Sequence, residues 1–303
     1  MSMRTTELAA PPSLAGLYAR AAGQAAKDAL TRRSRPAVLP EREVVVTGHR
    51  IPRAAVAAWR DAVGPADPAS LPSVLVHTQV FGAAMELMAD PEFPLPLPGM
   101  VHLTNTVLHR RPVPAESALR VTARAVGLVP HHAGTAVDVA VTVEGPDPAG
   151  GEAVLWEGVS RYLAKGVHLT GLRPERPARE EFTAPARTAE WRLGAGAGRR
   201  YADVSGDWNP IHLTGVSARL FGMKGAIAHG MLTMGAAMQL VADWAGEPQN
   251  RAPEEHDDLR WFADRVSTAS DIETFRVVRR QTAETSRKGR KIKLPDVTIR
   301  SEE

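Results

Sequence analysis

Phe81-Gly-Ala-Ala-Met-Glu-Leu-Met-Ala-Asp90 recurs further along the chain as Met234-Gly-Ala-Ala-Met-Gln-Leu-Val-Ala-Asp243. Gly82, Ala83, Ala84, Met85, Leu87, Ala89 and Asp90 all repeat at an offset of 153, too many for shared composition to explain. Upstream, residues 50–64 align without gaps on 192–206 at an offset of 142, bringing Arg50/Arg192, Ile51/Leu193, Trp59/Tyr201, Asp61/Asp203 and Gly64/Gly206 into register. Self-similarity of this kind marks two copies of one structural unit. The offsets differ, so the second copy carries 11 more residues between its two blocks.

The first copy shows what a unit contains. Residues 73–90 are apolar nearly all round, which predicts a buried helix. Residues 43–47 read as a short strand, and four longer β-like runs follow at 100–111, 117–129, 134–144 and 153–164. Pro112-Val-Pro114, Pro130-His-His132 and the Gly/Pro-rich stretch 145–151 separate those runs as turns. One long apolar helix followed by antiparallel strands predicts an α+β fold in which the sheet curls around the helix. The chain is therefore expected to divide into a helical extension (1–36, with an amphipathic basic helix over 13–32), a first unit (37–166), a Pro- and charge-rich linker (167–187) and a second unit (188–303). From about residue 250 the tail is non-alternating and more charged than the chain's 23% average. Four strands are not legible there, and the second repeat is expected to be incomplete at its C-terminal end.

The extra residues fall where the chemistry-bearing side chains are. The second copy holds Tyr201-Ala-Asp-Val-Ser-Gly-Asp-Trp-Asn-Pro-Ile-His212 and then Ile227-Ala-His-Gly-Met-Leu232. Aligned on the first copy, Asp207 faces Pro65, His212 faces Ser70 and His229-Gly230 faces Val76-His77. The first unit thus has the scaffold without an acid–base pair, and only the second is expected to be catalytic. A carboxylate and an imidazole can hold and activate one water. A glycine at a helix start can offer its backbone N–H to a thioester oxygen at the positive end of the helix dipole. Pro210 restricts Asn209 to extended conformations and Gly206 permits a tight turn, so the bend between Asp207 and His212 is set locally.

Composition excludes several other classes. The 303 residues are 44% hydrophobic, enough for a sizeable core, and the net charge is only +3 with a pI near 9.4. There is no aromatic-and-basic interleaving to suit a nucleic acid. The chain has no cysteine, which removes disulfides, thiolate nucleophiles and thiolate metal sites together. No apolar run approaches the roughly 18 residues of a membrane span, and no secretory h-region is present. A cytoplasmic location is expected. Asp207, His212 and His229 together could be metal ligands, but HExxH-type spacing is absent and no metal is expected. His131-His132 reads as a hairpin turn. Met223, Met231, Met234 and Met238 read as core or acyl-pocket lining, and Arg199, Arg200 and Lys224 as surface charges or phosphate contacts.

The motif Tyr201-Ala-x-x-Ser-Gly-Asp207-x-Asn209-Pro210-x-His212, followed by Ala228-His229-Gly230-Met231, resembles that of the MaoC-type, (R)-specific enoyl-CoA hydratases, a hot-dog family. The resemblance is close over residues 188–245 and by pattern only in the first half. A chain with an inactive first unit is similar to the double hot-dog 3-hydroxyacyl-thioester dehydratases. That resemblance implies a double hot-dog fold and reversible hydration of trans-2-enoyl thioesters to (R)-3-hydroxyacyl thioesters in fatty-acid or related acyl metabolism. It assigns Asp207 and His212 to a catalytic dyad, base and acid undecided, and the Gly230 N–H to the enolate oxygen. Asn209, His229 and Met231 are expected to line the substrate, with His229 leaning towards structural support. It implies no cofactor beyond the phosphopantetheine of the substrate's own CoA or acyl-carrier protein, and a homodimer or a pseudo-dimeric monomer. A non-catalytic acyl-thioester-binding subunit and a hot-dog thioesterase are the alternatives.

Overall fold

A computed structural model of the chain describes residues 3–31, 35–147, 150–169, 171–176, 196–220 and 224–244. Six strands make one sheet: β1 (Arg4–Leu8), β2 (Arg42–His49), β3 (Val101–His109), β4 (Leu119–His131), β5 (Gly134–Pro146) and β6 (Glu152–Lys165). Their order is β1-β2-β4-β5-β6-β3, antiparallel throughout except for β1, which runs parallel to β2. The helices are α1 (Leu14–Thr31), α2 (Arg53–Ala62), α3 (Ser73–Met88), α4 (Ala197–Ser205), α5 (Pro210–Leu213), α6 (Gly215–Leu220) and α7 (Gly230–Trp244).

The predicted first unit is present. α3 begins after Pro72 and is buried on almost every side, with Leu75, Val76, Val80, Ala83 and Leu87 fully enclosed. It lies in the concave face of the sheet against β2, β4 and β5. Alternation in the strands explains the wrapping: Val121, Ala123, Val137, Val139 and Val143 point inward to the helix. Each of these valines contributes about 1.5–3 kcal/mol when fully buried. The His131-His132 turn joins β4 to β5, where His131 pairs with Gly134.

The N-terminal extension departs from its helical expectation. α1 occupies the expected place, but β1 precedes it and adds a parallel edge strand to β2. Five residues, Arg-Thr-Thr-Glu-Leu, carry no clean period, so only the neighbouring edge of β2 makes them a strand. Polar contacts hold the extension down: Arg4 pairs with Glu92 at 3.0 Å and Arg20 with Glu86 at 2.5 Å, and Arg35 donates to the Phe93 carbonyl at 2.9 Å.

The helices of the two copies meet as like pairs, α2 on α4 and α3 on α7. The ring of Trp59, fully buried, lies over Gly235, where a Cβ would stand 2.6 Å from it. Two amides tie the halves together: Gln79 Nε2 donates to the Val204 carbonyl (2.8 Å) and Gln239 Nε2 to the Pro65 carbonyl (2.7 Å). The fold is α+β, with two hot-dog units of which the described residues give the first whole and the second from α4 to α7. The tail from about 250, and most of the linker, lie outside the described residues. No helix among the described residues is long and apolar enough to cross a membrane.

Candidate active site

The site begins where α4 stops. Gly206 adopts φ 68° and its N–H caps the helix on the Ala202 carbonyl at 2.8 Å, a left-handed C-cap that suits glycine. Asp207 follows directly. Its N–H donates to Ser205 Oγ (3.2 Å), and its Oδ1 accepts the N–H of Asn209 (3.2 Å). Asn209 then caps α5, accepting the Ile211 N–H on Oδ1 (3.3 Å), with Pro210 as the first helical residue. One turn of helix brings His212 back towards Asp207. The expected rigid bend is therefore a chain of local hydrogen bonds, and the side-chain oxygen of Asn209 is engaged within it.

His212 is held by its Nδ1, 2.9 Å from the Ile227 carbonyl. A carbonyl only accepts, so Nδ1 carries the proton and Nε2 has the lone pair of the neutral ring. His229 is buried and stacks on His212, with ring centroids 3.8 Å apart, and its Nε2 donates to the Asp207 backbone carbonyl at 3.0 Å. Nε2 of His229 is also 3.9 Å from Asp207 Oδ2. One carboxylate oxygen of Asp207 and one ring nitrogen each of His212 and His229 lie within 4.8 Å of one another. Such a trio is also a metal-ligand set. One nitrogen of each ring bonds a carbonyl, which fixes the orientation of both rings. Burial pushes the Asp207 carboxyl above its ordinary range, while His212 and the Asn209 N–H draw it partly back.

α7 starts at Gly230, beside His229. Apart from its chain neighbours and its own helix backbone, no described atom lies within 4 Å of where a Gly230 Cβ would stand. Met231 follows Gly230, its sulfur 3.9 Å from Asn105 Nδ2 on β3, and Asn105 Oδ1 accepts from Ser160 Oγ on β6 at 3.1 Å. The first unit thus packs directly on the first turn of α7. Of the charges named in advance, Arg199 bonds the Leu213 carbonyl at 3.3 Å.

Sequence reasoning missed Asn105, Ser160, Tyr18 and Tyr162. Tyr18, Tyr162 and Tyr201 are the chain's three tyrosines, and all three phenols are raised, first by burial and then in part by the charge of Asp207. Tyr201 was the visible member, within the motif; its ring stands 5.0 Å from that of His229. The others come from elements remote in the chain, and their only signal was tyrosine's rarity.

Comparison with known proteins identifies the family. The MaoC like domain model matches residues 180–293, so the match runs through most of the charged tail. The 3-hydroxyacyl-thioester dehydratase X of Mycobacterium tuberculosis is 32% identical over 228 residues, 75% of this chain and 78% of that protein. A crystal structure of that protein superposes with a TM-score of 0.53 at 31% identity, covering 65% of this chain and 75% of the other. A MaoC-like dehydratase from Phytophthora capsici shares the fold at 18% identity, with a TM-score of 0.51 over 67% of this chain and 74% of its own. The chain belongs to the MaoC-like dehydratase family.

Proposed function

We propose that this protein hydrates trans-2-enoyl thioesters to (R)-3-hydroxyacyl thioesters and catalyses the reverse dehydration, in fatty-acid or related acyl metabolism, with Asp207 and His212 as the acid–base pair. The observation that supports it best is the convergence of Asp207, His212 and His229 within 4.8 Å, next to the tip of α7. In hydration, a water between the carboxyl and His212 Nε2 gives a proton to one of them as its oxygen bonds to C3. The C2–C3 π electrons shift towards C1, and the carbonyl π pair moves onto the thioester oxygen. That enolate oxygen accepts a hydrogen bond from the Gly230 N–H, aided by the α7 dipole, a contribution of roughly 3 kcal/mol in comparable sites. The carbonyl re-forms as C2 takes a proton from the other member of the pair, which holds one at the start; a proton then passes between the two members to restore the pair, so water is added and nothing is left over.

His229 is a positioning group in this scheme, because its bond to the Asp207 carbonyl and its stack on His212 fix both partners. Met231 lines the substrate's side of α7. The substrate brings its own phosphopantetheine, from CoA or an acyl-carrier protein, and no other cofactor takes part. The protein would work in the cytoplasm, as one chain holding both units or as a dimer of such chains.

Asp207→Asn and His212→Ala test this assignment. Each is expected to lower kcat/KM for crotonyl-CoA hydration, followed by loss of enone absorbance, by about 100- to 10,000-fold. Full activity in both variants would contradict it.

A further inference from the structure

β4 and β5 meet α3 with valines and alanines, but part of β3 and β6 does not. On β6, Ser160 and Tyr162 are both buried and, one residue apart from alternation, share the inner face. Their partners across the ladder on β3 are Asn105 and His102. The register shift between His102 and Thr104 inserts one extra residue, which lets His102 and Asn105 both turn inward. A polar strip thus runs inside the first unit. Ser160 Oγ donates to Asn105 Oδ1 at 3.1 Å. The His102 ring stacks on Tyr162, with centroids 4.7 Å apart, and on His77 of α3 at 5.8 Å.

Two polar atoms of the strip are left over. Among the described residues, His102 Nε2 and the Tyr162 hydroxyl are enclosed and have no hydrogen-bond partner of normal geometry. Folded cores rarely keep such atoms, because burying them unpaired costs stability that water would otherwise supply. The strip also adjoins the reaction site. Asn105 Nδ2 is 3.9 Å from the sulfur of Met231, the residue after Gly230. The charge of Asp207 adds to the rise that burial imposes on the Tyr162 phenol.

A plain alkyl tail running past these groups would leave them unpaired. A hydroxyl would satisfy them, because it donates and accepts at once. A carboxylate would not, since none of the four side chains is a fixed cation and burial lowers the His102 imidazole to about 4. We propose that the polar strip of β3 and β6 binds a hydroxyl group carried on the acyl chain beyond C3, so that hydroxylated trans-2-enoyl thioesters are the preferred substrates. This rests on the catalytic assignment above and names the substrate class of that same site.

The test is kcat/KM for hydration of trans-2-octenoyl-CoA and of its analogues with a hydroxyl on C5, C6, C7 or C8. The full chain is used, as wild type, Tyr162→Phe and His102→Phe. Wild type should favour at least one hydroxylated chain over the plain one by about tenfold, the worth of a single hydrogen bond. Tyr162→Phe keeps the ring and loses only the hydroxyl, so the ratio of the two rates should fall by about threefold or more. His102→Phe removes Nε2 but keeps a ring in the stack; it should lower the same ratio, and it supplies the reading should Tyr162→Phe not fold. Wild type that favours the plain chain over all four analogues overturns the proposal. So does a hydroxyl preference that both variants keep in full, as water-filled or purely structural groups would allow. Crotonyl-CoA has no tail to reach the strip, and wild type that leaves it unhydrated would instead defeat the catalytic assignment itself.

Discussion

Gly198 and Gly230 do different jobs within one site. A Cβ on Gly198 would stand 2.0 Å from the His212 backbone oxygen, so α5 can sit against α4 only because that side chain is missing. A Cβ on Gly230 would meet no described atom within 4 Å beyond its chain neighbours and its own helix backbone. Gly198→Ala is therefore expected to cost about 1–3 kcal/mol in stability and to move His212. Gly230→Ala should keep the wild-type melting temperature yet lose activity on the order of 100-fold, through a small misplacement of the thioester. Thermal melting beside the hydration assay checks both, and a destabilised Gly230→Ala would contradict the lack of contacts at that tip. The Gly206–His212 bend was legible in the sequence because each of its constraints acts between near neighbours. Gly198, Asn105 and Tyr18 were not, because what they touch is distant in the chain and no local pattern records it.

At the scale of elements, strands β3 to β6 and helix α3 were legible from alternation, turn residues and an all-round apolar face. β1 was not, because its pairing comes from an exposed edge rather than from its own residues. The helix–sheet interface also carries a titration the sequence does not announce. His77 of α3 stacks on His102 of β3 with centroids 5.8 Å apart, and His102 stacks on Tyr162 at 4.7 Å. Burial lowers the first imidazole to about 3 and the second to about 4. Unfolded, both would titrate near 6.5. The stability tied to these rings is present above about pH 6.5 and is lost as pH falls towards 4, because the unfolded chain takes protons that the folded one refuses. The slope is at most about 1.4 kcal/mol per pH unit for each ring. Asp207, raised rather than lowered, opposes them as a single group. Urea unfolding at stepwise pH should show stability falling from pH 7 to 5 and a shallower fall in His77→Phe. An equal slope in that variant would rule out the buried imidazole as the cause.

For the whole molecule, duplication followed by division of labour accounts for the arrangement. The first unit keeps a complete curled sheet around α3 and has Pro65 and Ser70 where the second has Asp207 and His212. It still supports the second unit, through Asn105, which meets the Met231 sulfur and accepts from Ser160. The repeat and the motif were legible because identity at a fixed offset survives without knowledge of contacts. The packing of the first unit on the second was not, since the α3·α7 and α2·α4 contacts are a property of the folded pair. The central claim is that Asp207 and His212 act from one side on a single water and on C2. Hydration of crotonyl-CoA in deuterated water tests it most directly, by the configuration at C3 and the relative placement of the deuterium at C2. The account predicts the (R)-3-hydroxy product with deuterium and hydroxyl added to the same face. An (S) product, or deuterium on the opposite face, would contradict it.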